Sequence, residues 1–143
     1  MDGEQEQRPR LLIVDDNLDG AVLLQHVIEH AAGARVTSVP NPEEALQVLG
    51  KQDFDLIIMD RMFDNSDQDG IHATRLIREI GITTRILIWT AGISELAERE
   101  YKTITSMEDV QLVSKIGFGI EEIVTALKSE FERRLRRYDA RGF

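Results

Sequence analysis

Five short apolar runs alternate with five amphipathic stretches along this chain, which predicts an α/β fold. Right-handed crossovers narrow that to a doubly wound, five-stranded parallel sheet, (βα)5, with helices on both faces. Two of the runs are continuously apolar rather than alternating, as strands buried on both faces require. The length of 143 residues suits one such domain and would cramp two.

Residues 1–9 are polar and read as a disordered leader. Leu11-Leu12-Ile13-Val14 is the first strand. Asn17 to Ala31 carries Leu18, Ala21, Val22, Val27 and Ile28 near helical spacing, and Gly33 stands where helices end. Arg35 to Val39 holds β-branched residues and reads as the second strand. Pro42 to Leu49 is a short helix with Asn41 as N-cap and Pro42 in its first turn. Phe54 to Met59 is the third strand, and Ile71 to Ile80 a helix that stops at Gly81, with Asp69 as its N-cap. Arg85 to Trp89 is the fourth strand, followed by a more polar helix from Ser94 to about Thr103. Val110 to Val113 is the fifth strand, and Gly119 to about Tyr138 the last helix.

Composition removes several classes of function. With 17 basic and 26 acidic residues the formal charge is −9, the wrong sign for a general nucleic-acid binder, which must neutralise phosphates. The absence of cysteine excludes disulfides and cysteine-ligated zinc. No apolar run approaches a membrane span, and the first ten residues lack the apolar centre of a signal peptide. A cytoplasmic location is expected.

In an open parallel sheet, ligands bind beyond the carboxyl ends of the strands, where the strand order reverses. The first strand ends in Asp15-Asp16, the third in Asp60, the fourth in Thr90, and the fifth runs into Lys115. These distant groups are therefore expected on one rim. Carboxylates so placed repel one another, and Mg²⁺, which favours oxygen ligands, resolves the conflict. A carboxylate beside such a cation and an ammonium group is suited to accepting a phosphoryl group.

With Asp15-Asp16, Asp60, Asp69-Gly70, Thr90-Ala91 and Lys115 in this order, the sequence resembles the receiver domain of bacterial two-component response regulators. The likeness covers about residues 10–130, leaving 131–143 as an extension of the last helix. It implies a flavodoxin-like strand order of 2-1-3-4-5. It implies phosphorylation of Asp60 by a sensor histidine kinase or histidine phosphotransfer protein. Asp16 and Asp60 would ligate Mg²⁺, Asp15 would act through water or share the site, and the Met62 backbone carbonyl would complete it. Lys115 would pair with the phosphoryl oxygens. Thr90 would hydrogen-bond one of them, and small Ala91 would leave access. The chain would then catalyse only its own phosphorylation and hydrolysis.

Several positions depart from that pattern. The segment from Asp60 to Gly70 is long and carries extra charge at Asp64 and Asp67. Ile116 follows Lys115 where most receivers have a cis proline; a cis bond before a non-proline residue costs about 2.5–4 kcal/mol, so a trans bond is expected. Leu112 replaces the usual switching aromatic and has no phenol to move between two hydrogen bonds. These departures support an alternative, a pseudo-receiver adaptor that binds partners without phosphorylation. Dehalogenase-type phosphatases want an acid at Met62, and a flavin phosphate would be repelled by Asp15-Asp16-Asn17, so both are disfavoured.

Other patterns carry less. The loop from Asn65 to Gly70 imitates a calcium loop, but Leu76 stands where a bidentate Glu is required. His26 and His30 are four apart on a helix with no third ligand, and read as exposed histidines. Trp89 reads as core packing close enough to report on Thr90. The last helix would be about 30 Å long against strands of about 17–20 Å, so its final third should overhang the sheet. Phe131, Leu135 and Tyr138 lie there among four arginines. A solvated, fraying end and an interaction helix are the two readings. A homodimer would use that helix or the face of the fourth helix and fifth strand. No output domain fits in the remaining residues, so output is expected through protein contact or a domain outside this chain.

Overall fold

The computed structural model describes residues 7–63, 66, 68–92, 98–115 and 119–140. Most of the expected leader, the Ser94 helix start, the Lys115–Ile116 bond, Asp64, Asp67 and residues 141–143 lie outside them. The strands are β1 (Arg10–Val14), β2 (Arg35–Val39), β3 (Leu56–Asp60), β4 (Arg85–Thr90) and β5 (Val110–Ser114). The helices are α1 (Leu18–Ala32), α2 (Pro42–Leu49), α3 (Gly70–Glu79), α4 (Glu98–Ser106) and α5 (Ile120–Ala140). All strand pairs are parallel, in the order β2-β1-β3-β4-β5.

Alternation along the strands builds two cores. Leu12, Val14, Ile57, Met59, Ile86 and Ile88 face α2, α3 and α4. Leu11, Ile13, Leu56, Ile58, Leu87 and Trp89 face α1 and α5. β3 is buried along its whole length, and so are the last four residues of β1. The expected caps are present. Asn17 accepts from the Gly20 amide at 3.1 Å, Asn41 from Glu44 at 2.9 Å, and Asp69 from His72 at 2.8 Å. Gly33 closes α1 in the left-handed conformation at φ 62°.

Three elements differ from the sequence reading. β3 starts at Leu56, because Asp55 turns its carboxylate to other partners and Phe54 plugs the core below the strand. α4 is described over Glu98–Ser106, ending later than Thr103; with Ile104 the only buried one among these described residues, little hydrophobic stripe marks its end. The third concerns α5, which is still tied to the domain well into its predicted overhang. Arg134 donates to both Asp55 oxygens, at 2.7 and 3.0 Å, and to the Arg8 carbonyl at 3.0 Å. Its guanidinium also lies 5.2 Å from the centre of the Phe131 ring. Asp55 accepts the Arg10 amide at 2.8 Å as well. One arginine therefore clasps the end of α5 to the starts of β1 and β3. Beyond it, Leu135 and Tyr138 are exposed.

Removing one partner of a buried ion pair strands the other's charge. Arg134→Ala is expected to lower stability by about 2–4 kcal/mol, read from the midpoint of urea unfolding. Arg137→Ala, at an exposed position, should leave that midpoint unchanged.

Candidate functional site

Parallel strands of nearly equal length end together, which brings Asp15, Asp60, Thr90 and Lys115 to one edge. Asp60 and Thr90 are the last residues of β3 and β4, while Asp15 and Lys115 directly follow β1 and β5. Asp15, Asp16 and Asp60 each offer a carboxylate oxygen, and the three lie within 4.8 Å of one another. The Lys115 ammonium donates to Asp60 Oδ1 at 2.9 Å across 55 residues of sequence. Asp60 is 7% exposed, so a carboxylate is held in a largely dehydrated place by one direct cation.

Backbone bonds fix each group. The Asp15 amide donates to Val39 at 3.0 Å, and Asp15 Oδ1 accepts the Asn17 amide at 2.9 Å. The Lys115 amide donates to the Thr90 carbonyl at 2.8 Å, carrying the strand ladder one residue past β5. The Thr90 hydroxyl accepts the Gly92 amide at 3.3 Å, so it is turned toward its own loop. Ala91 is exposed at the mouth, and the Met62 side chain is exposed in the loop after β3. Leu112, opposite Ile88, packs half-buried against the core beneath α4. His26 and His30 are exposed on α1.

Two residues of this region have functions that the sequence reading did not assign. At Gly70 a Cβ would collide with the Asp60 carbonyl, and the Gly70 amide donates to Arg61 at 2.7 Å. Glycine lets α3 start directly against the end of β3; its sequence mark was the Asp69-Gly70 pair, read as a cap and as part of the resemblance. Arg61, next to Asp60, reaches Glu100 on α4 at 2.8 Å. Its Nε is buried with no partner among the described residues. No spacing rule connects positions 61 and 100, so this pair could not be read from the sequence.

Asp15 is pushed up from 3.8 to about 6, chiefly by burial. The Asn17 amide opposes this, while the Asp60 charge adds to it. The acidic cluster thus disfavours its own full ionisation, which is the state a divalent cation would stabilise.

A family model for the response regulator receiver domain matches residues 11–128. The chain belongs to that family, the receivers of two-component signalling. It is 33% identical over 100 residues to the two-component response regulator ARR22 of Arabidopsis thaliana, a match spanning 68% of this chain and 66% of that protein. It is 38% identical over 71 residues to the sensor histidine kinase GacS of Pseudomonas protegens, spanning 50% of this chain and 7% of the kinase. Among solved structures, the receiver domain of Francisella response regulator 1452 superposes with a TM-score of 0.73 at 24% identity, covering 89% of this chain and 99% of that one. That last likeness concerns the fold. No described helix is long and apolar enough to cross a membrane.

The raised Asp15 value sets a pH dependence. Below pH 4 the group is neutral in both folded and unfolded chains. Between about 4 and 6 the unfolded chain has released a proton that the folded one retains. Raising pH through this window therefore lowers metal-free stability, and the loss persists above it. Asp15→Asn should remove that component and stabilise the metal-free protein at pH 7 on the order of 2 kcal/mol. Urea unfolding in chelator from pH 4 to 7.5 measures it.

Proposed function

We propose that this protein is a phosphoacceptor switch, with Asp60 taking a phosphoryl group from a phosphohistidine on a sensor histidine kinase or a histidine phosphotransfer protein. An Asp60 oxygen bonds to phosphorus as the nitrogen–phosphorus bond breaks. The departing imidazole keeps the electron pair and takes a proton. The product is an acyl phosphate, which water later cleaves back to the carboxylate. The observation that carries this reading is the Lys115 ammonium 2.9 Å from Asp60 Oδ1, beside two further carboxylates.

The donor set fits Mg²⁺: three carboxylates can approach one centre, all hard oxygen ligands. Asp15, Asp16, Asp60 and the Met62 carbonyl would hold it, and when bound it supplies positive charge to the phosphoryl oxygens. Lys115 exchanges its Asp60 contact for a phosphoryl oxygen. Thr90 turns its hydroxyl from Gly92 toward another. Leu112 cannot follow as a phenol would, so the response at β5 is smaller than the response at the Thr90 loop. Signal leaves by protein contact, and such partners place the chain in the cytoplasm.

Incubation with a small phosphodonor and Mg²⁺ should raise the intact mass by one phosphoryl group. Asp60→Asn or a chelator should prevent the gain. Beryllofluoride with Mg²⁺ should change Trp89 emission, since that residue precedes Thr90 on β4. A folded native protein that gains no mass and shows no emission change would be an adaptor, and the proposal would fail.

A further inference from the structure

β1 and β2 pair with Arg10 opposite Arg35. Residues two apart on a strand share a face, so Arg10 lies with Leu12, and Arg35 with Thr37 and Val39, all on the face that carries α2. Neighbouring strands are about 4.8 Å apart, which sets two like charges side by side, an arrangement that costs stability without a counterion. Neither guanidinium has a carboxylate partner among the described residues. Arg61, Arg85, Arg133, Arg134 and Arg136 each have one. The nearby Asp55 is committed to Arg134 and to the Arg10 amide.

A cavity of about 380 Å³ opens at this point, lined by Arg10, Arg35, Thr37, Gln52 and Phe54. Among the described residues its wall contains no carboxylate. Two guanidiniums offer forked donors that match a planar or tetrahedral oxyanion, and a hydroxyl and an amide add neutral donors. Phe54 supplies an apolar wall. The volume is at the lower end for small-molecule sites. We propose that this cavity binds a small phosphate monoester, its phosphate held between Arg10 and Arg35. The site lies at the amino edge of the sheet, the opposite edge from Asp60, so it does not depend on the phosphoacceptor reading.

The test is an NMR titration of the full chain without divalent metal, in native and Asp60→Asn forms. Inorganic phosphate and adenosine monophosphate are the probes, with sodium chloride at matched ionic strength as control. Saturable shifts are expected at the amides of Arg10, Arg35, Thr37 and Gln52 in both forms. Binding should weaken about tenfold or more in Arg35→Gln and recover in part in Arg35→Lys. Tighter binding of the monophosphate than of phosphate identifies the monoester as the ligand class, whereas equal or weaker binding shows that only the phosphate group is read and overturns that assignment. Shifts that chloride reproduces, or that survive in Arg35→Gln, overturn the site. So does silence with both probes, which would leave the arginines as charges guarding the edge strand β2.

Discussion

The structure is organised around negative charge that it has to confine. Three carboxylates within 4.8 Å of one another repel, and one of them is buried at the end of a central strand. A flexible scaffold would relieve that repulsion by letting the groups drift apart. Here β1 and β3 form the centre of a five-stranded sheet with helices on both faces, and the carboxylates sit at strand ends that the hydrophobic cores prevent from moving. Lys115 offsets part of the charge through its ion pair with Asp60. Asp15 is held above the usual carboxylate range chiefly by burial, and the Asp60 charge adds to it. Such a site holds its acidic groups where a hard cation could offset their charge.

Keeping the strands level at one end requires that they also be held at the other. Asp55, just before β3, accepts the Arg10 amide before β1 continues and both donors of Arg134 from α5. The bond couples the lower ends of the two strands whose upper ends carry Asp15 and Asp60. Gly70 does the complementary task above, letting α3 begin against the Asp60 carbonyl without displacing it. Stability at one edge and chemistry at the other thus use the same two strands.

The sequence was informative where a rule of spacing applied. Strand type, the caps at Asn17, Asn41 and Asp69, and the convergence of Asp15, Asp60, Thr90 and Lys115 all follow from local pattern plus the polarity of a parallel sheet. It was uninformative where contact depends on the path of a long side chain between elements. Arg134 reads as one of several arginines on a helix end, and only the packing of α5 distinguishes it from Arg133 and Arg137. Arg61 and Glu100 are 39 positions apart on elements whose relative placement no periodicity encodes. The end of α4 was placed a few residues early for a related reason, since a helix whose described residues bury only Ile104 leaves almost no hydrophobic stripe to read.

That weak anchoring also bears on how a change at Asp60 would travel. Among the described residues, α4 is fastened by one buried isoleucine and by the ion pair from Arg61, the residue that follows Asp60. The Arg61 amide donates to the Trp89 carbonyl and its own carbonyl accepts the Gly70 amide, so its backbone is tied to both β4 and α3. The β3 terminus is thus connected to α4 through a guanidinium whose Nε has no partner among the described residues. A buried donor left unsatisfied costs free energy that another arrangement can recover. With Leu112 lacking the hydroxyl of the usual aromatic, this polar connection gives α4 a physical link to the site that bypasses β5.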